Sequence, residues 1–102
     1  MPPRDAHRLT PAALASARTA LLDIERTAER WSYGWRITEE CADALAVFLA
    51  RVGITRMSRD SGCAIPTLDM LMATPRRTYH RAVLRRIAAY AGSIAVAGEG
   101  DA

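Results

Sequence analysis

The glycine at position 62 constrains this chain more than any other residue. In MSRDSGCAIPTLDMLM, residues 57–72, a polar, arginine-bearing run halts at Ser61-Gly62, and an apolar run with Ile65, Leu68, Met70, Leu71 and Met72 follows. Two short helices around a tight turn account for that change of character. The first helix needs an apolar residue and then a small one where the second crosses it, and Met57-Ser58 supplies both. The turn needs a residue tolerant of positive φ, and Gly62 stands four positions after the small residue. Cys63 can tuck beneath the unit, while Leu68 and Leu71, three apart, face inward from the second helix.

The flanking sequence reads as helix on both sides. Thr10-Pro11 is a cap followed by a first-turn proline, and AALASARTALLDIERTAERW predicts a long helix ending near Trp31. Leu14, Leu21 and Ala28 recur every seven residues, as do Ala17, Ile24 and Trp31. This stripe is expected to pack within the domain; pairing of two copies through Leu14, Leu21, Ile24 and Trp31 is the alternative. WSYGW, residues 31–35, reads as a connector whose rings close one edge of the core, with an aromatic ligand pocket as the sharper alternative. A second helix starts at Thr38, carries Glu39 and Glu40 in its first turn, buries Cys41, Leu45, Phe48, Leu49 and Val52, and ends at Gly53.

A final helix is predicted from about Thr78 to Ala91, stopped by Gly92. Tyr79, Val83, Ile87 and Tyr90 fall on one face, widened by Leu84 and Ala88, with Arg77, Arg81 and Arg85 repeating on the opposite side. No β-hairpin signal, repeat or low-complexity tract is read. The expected architecture is all-α: a small bundle of about four to five helices, with an extra long N-terminal helix. Its parts are a flexible leader (1–9), the N-terminal helix and aromatic connector (10–36), the domain holding the two-helix unit (37–92) and a flexible tail (93–102).

Alanine supplies 20 of the residues behind the 50% apolar share, so the core is modest for a chain of 102 residues. Every basic residue is arginine, and charge is uneven: residues 1–50 sum to −1 and residues 51–102 to +4. That basic half points to an acidic partner, nucleic acid being the commonest. Cys41 and Cys63 do not form a disulfide framework or a metal-ligand spacing and read as small buried hydrophobes. MPPRDAHR lacks the apolar stretch of a secretory signal, and no run reaches the ~18 apolar residues of a membrane span, so a cytoplasmic protein is expected.

Ile54 through Leu71, followed by VLRRIAAYAG, resembles the helix-turn-helix domain of the lambda-repressor and Cro superfamily. The resemblance implies that residues 38–92 form the domain, that the second helix of the unit enters a DNA groove and that the first crosses the backbone. Two departures stand out. Ser61 occupies a place the family fills with an apolar side chain. The base-reading places fall on Ala64, Ile65, Pro66, Asp69, Met70 and Ala73, where only Asp69, with Thr67 nearby, offers a hydrogen-bonding group. Asp69 can accept from a cytosine amino group and Ile65 or Met70 can touch a thymine methyl, but no residue there makes a bidentate base contact. Phosphate contacts are better supplied, by Arg56 and Arg59 on the first helix, Arg76 and Arg77 after the second, and Arg81 and Arg85 beyond.

The expected function is a small repressor-type DNA-binding regulator, of the kind phages, plasmids or operons encode, acting on double-stranded DNA as a monomer or homodimer. The alternative is a protein-binding module, antitoxin-like or a phage-encoded inhibitor of a nucleic-acid-binding machine, presenting Ile65, Met70 and Met72 around Pro66. No nucleophile motif, phosphate loop or metal cluster is read, so neither enzymatic activity nor a cofactor is expected. His80 is expected on an exposed helix surface between arginines.

Overall fold

The computed structural model describes residues 10–94. The leader and nearly all of the tail expected from the sequence lie outside the described residues. Within them the protein is mostly helical, with six helices and one two-stranded sheet: α1 (Pro11–Leu22), α2 (Ile24–Thr27), β1 (Glu29–Trp31), β2 (Gly34–Arg36), α3 (Glu39–Val52), α4 (Ile54–Ser61), α5 (Ile65–Ala73) and α6 (Arg81–Ser93). None of the helices is long and apolar enough to cross a membrane.

The helix starts follow the local chemistry. The Thr10 hydroxyl accepts from the Ala13 amide at 3.1 Å, with Pro11 in the first turn. Thr38 does the same for Cys41 at 3.1 Å, with Glu39 and Glu40 in the turn that favours negative charge. Gly53, at φ 85°, ends α3. Leu21, Ile24, Leu45, Phe48, Met57, Leu68, Leu71, Leu84 and Ile87 are fully buried together, and the Phe48 and Tyr90 rings meet edge to face at 6.2 Å. Residues 10–36 and 37–92 share this one core: α1 packs on α3 and α6, and the Arg18 guanidinium donates to the Ala91 carbonyl at 3.0 Å.

The N-terminal helix is shorter than expected. It stops at Leu22, resumes for one turn as α2 and leaves helical geometry at Ala28, whose ψ is 142°. Where a connector and no hairpin were expected, residues 29–36 form one, with Glu29 opposite Arg36, Arg30 opposite Trp35 and Trp31 opposite Gly34. Helix propensity here is outweighed by tertiary contact: β2 pairs onward with Tyr79, which exchanges both backbone hydrogen bonds with Trp35 at 2.9 and 2.8 Å. The stripe read for dimerisation is used inside the chain. Leu14, Leu21 and Ile24 are buried in the core and not available to a second copy, whereas Trp31 is 44% exposed on the hairpin.

The last helix also starts later than expected. Thr78 and Tyr79 are not helical, because the Tyr79 backbone is held by β2, and His80 becomes the cap through its Nδ1, which accepts from the Ala82 amide at 3.2 Å. Tyr79 is still buried, its hydroxyl donating to the Thr74 carbonyl at 3.0 Å. Gly92 does not stop α6, which runs through it to Ser93. Arg77 therefore precedes the helix and shares no stripe with Arg81 and Arg85.

Candidate nucleic-acid interface

The two-helix unit is built around Gly62, whose φ of 74° places it in the left-handed region at the end of α4. Its amide donates to the Ser58 carbonyl at 3.0 Å. Two serines satisfy the rest of the turn: the Ser58 hydroxyl donates to the Cys63 carbonyl at 2.7 Å, and the Ser61 oxygen accepts from the Cys63 amide at 3.2 Å. Ser61 is thus buried by a specific bond and closes the turn from inside, where an apolar side chain would leave the Cys63 amide unpaired. Arg86 of α6, not singled out from the sequence, donates to the Gly62 carbonyl at 3.4 Å and braces the same turn. Met57, Cys63, Leu68 and Leu71 seal the unit against the core. Burial pushes the Cys63 thiol above its ordinary range, against the lowering pull of the Ser61 hydroxyl and Arg86, and so keeps it protonated and unreactive.

α5 begins at Ala64 without a side-chain cap and carries Pro66 in its first turn. Its outer face presents Ile65 at 38% exposure, Pro66, Asp69, Met70 at 36% and Ala73, with Thr67 half-buried. Met72 turns inward and packs on the core, so the expected apolar patch is smaller by one residue.

The six arginines expected at phosphates fall into three pairs. Arg56 and Arg59 share one carboxylate, Asp60, at 3.5 and 3.8 Å. Arg81 and Arg85 share another, Glu25, at 3.3 and 3.6 Å. Arg76 and Arg77, exposed in the segment between α5 and α6, have no ion-pair partner among the described residues. They line a depression of about 370 Å³ with Ala73, Thr74, Pro75 and Glu39. Asp60 lies at i, i+4 spacing from Arg56 on the same short helix, a pairing readable from the sequence, whereas Glu25 approaches from α2, far from Arg81 and Arg85 in the chain.

A second cluster forms around the hairpin. The Arg36 guanidinium lies 3.7 Å from the Trp31 ring centre, and Trp35 has Arg81 at 5.4 Å and Arg30 at 6.0 Å. The described residues contain no group of three or more His, Cys, Asp or Glu able to hold a metal ion. Comparison with known proteins finds no matching family model, curated protein or solved structure.

Proposed function

We propose that the chain is a small DNA-binding regulator of repressor type, with α4 and α5 acting as a helix-turn-helix and arginines gripping the phosphates. One observation carries this reading: α5 keeps an open outer face directly before Arg76 and Arg77, two exposed cations with no ion-pair partner among the described residues. The start of α5 has no side-chain cap, so its first-turn amides other than at Pro66, which has no N–H, are left for a phosphate to meet. The Asp60 pairs with Arg56 and Arg59 lie in solvent, where such pairs are weak, so a phosphate can take over either arginine. Sequence readout rests on Asp69, Thr67 and the apolar tips of Ile65 and Met70. Electrophoretic shifts with genomic fragments at moderate salt test the proposal: a preferred fragment is expected, and equal retardation of random duplex refutes it.

The exposed pair Ile65 and Met70 beside Pro66 favours a second reading, a helix-turn-helix used against a protein. Met70→Gln separates the two, since it weakens an apolar protein contact and leaves phosphate-driven DNA binding almost unchanged.

A further inference from the structure

The β1–β2 hairpin carries a surface that, Arg81 apart, the duplex-binding reading does not use. Tyr33 at its tip is 95% exposed, and Trp31 beside it is 44% exposed. Trp31, Tyr33 and Trp35 together with Arg30, His80 and Arg81 line a pocket of about 250 Å³ that has no carboxylate in its wall. Exposed aromatic rings are costly to hydrate, and here they are interleaved with cations. The pairing register explains how. Arg30 and Trp35 are directly opposite and share one face, so the guanidinium leans over the indole. Trp31 and Arg36 meet on the other face, where Arg36 covers one side of the Trp31 ring. The Tyr33 ring, almost fully exposed, is open on both sides to a flat partner.

We infer that this hairpin is a binding site for an unpaired nucleobase carrying its phosphate, stacked on Tyr33 in the pocket that Trp31 and Trp35 flank, with the charge met by Arg30 and Arg81 on the Trp35 face. Flat rings stack on aromatic side chains whatever the base, and adjacent guanidinium groups neutralise the phosphate. Glu25 pairs with Arg81 at 3.3 Å, while Arg30 has no ion-pair partner among the described residues and is the cation open to an anion. The volume falls below the ~300–1,000 Å³ of drug-sized ligand sites, which suits one base and not an enclosed larger molecule. The base comes either from a free mononucleotide or from a single strand, and the two sources share this chemistry.

Both tryptophans of the chain lie in the hairpin, so tryptophan fluorescence reports on this site alone. The full chain is titrated with adenosine monophosphate, with a short oligothymidylate single strand and with a blunt duplex of matched length. Saturable quenching by the mononucleotide and the strand, or by the strand only, supports the site and identifies the source. Tyr33→Ala and Arg30→Ala, both at exposed positions, should each weaken the quenching ligand about tenfold, in line with the removal of one stacking or charge interaction. The double variant Arg76→Ala/Arg77→Ala should leave the titration unchanged, which separates this site from the duplex-binding face. Failure of both the mononucleotide and the strand to quench, equal quenching by the duplex, or quenching indifferent to both hairpin substitutions overturns the inference.

Discussion

Trp35 and Tyr79 exchange both backbone hydrogen bonds, at 2.9 and 2.8 Å, and so fasten the hairpin to the segment that leads into α6. Gly34 makes that approach feasible: a Cβ there would stand 2.9 Å from the Tyr79 carbonyl oxygen and 3.1 Å from the Thr78 Cβ. The closest atom is backbone and cannot swing aside. Gly34→Ala is therefore expected to destabilise the fold by about 1–3 kcal/mol, as overpacking does. For a domain of this size each kcal/mol lowers the Tm by about 4–8 °C. Thermal denaturation followed by circular dichroism checks this, and an unaltered Tm would show that the bridge does not bind the hairpin in solution.

Gly62 poses the opposite case. Space is open around it, the nearest atom to an added Cβ being the flexible Arg86 Cδ at 3.9 Å, so the penalty for substitution is conformational and not steric crowding. With φ at 74°, Gly62→Ala should cost about 1–2 kcal/mol, and Gly62→Asn less, because asparagine tolerates the left-handed region. Urea midpoints should fall in the order glycine, asparagine, alanine. Equal midpoints for all three would mean that the turn relaxes out of this geometry.

The residues that were legible in the sequence are those whose constraints are local. Thr10 and Thr38 cap, Gly53 and Gly62 end helices, and Met57, Cys63, Leu68 and Leu71 point inward, each decided by neighbours within a turn or two. What escaped depends on distant partners. The hairpin turn at Ser32-Tyr33 uses no left-handed residue, so it lacks the usual glycine or asparagine mark, and its strands are held by Tyr79 from far along the chain. That pairing alone moves the start of α6 from Thr78 to Arg81. The arginine stripe breaks for the same reason: the Tyr79 pairing leaves Arg77 ahead of α6, and Glu25 of α2, far off in sequence, gathers the remaining Arg81 and Arg85.

Alkaline pH should weaken the fold through two buried acids. Burial raises the Cys63 thiol above its ordinary 9.0. Burial, and secondarily the charge of Asp60, raises the Tyr90 hydroxyl above its ordinary 10.0, against the pull of Arg56. Well below 9.0 both groups are protonated whether the chain is folded or not, so their contribution is fully present. Above it the unfolded chain releases the thiol proton first, unfolding becomes coupled to proton loss, and stability declines as pH rises through the folded value; Tyr90 adds to the decline above 10.0. Urea denaturation from neutral pH upward should show this fall, and Cys63→Ala should move its onset toward the tyrosine range. A midpoint that stays level above 9.0 would contradict the burial of both groups.

DNA binding, if it proceeds through the open face beside α5, should depend on the arginines unequally. Arg76 and Arg77 share their depression with Glu39 but form no ion pair among the described residues, whereas Arg81 and Arg85 are paired with Glu25. Removing one arginine–phosphate interaction lowers the slope of log K against log salt by about 0.9. Arg76→Ala/Arg77→Ala should therefore weaken duplex binding across all sequences and reduce the slope by about twice that amount. Glu25→Gln should act in the other direction, releasing Arg81 and Arg85 to phosphate and steepening the slope. Titrations of each variant over a range of salt measure both effects. A double variant with unchanged slope would move the phosphate grip away from the α5–α6 segment, and a Glu25→Gln variant that binds no better would place Arg81 and Arg85 off the DNA face.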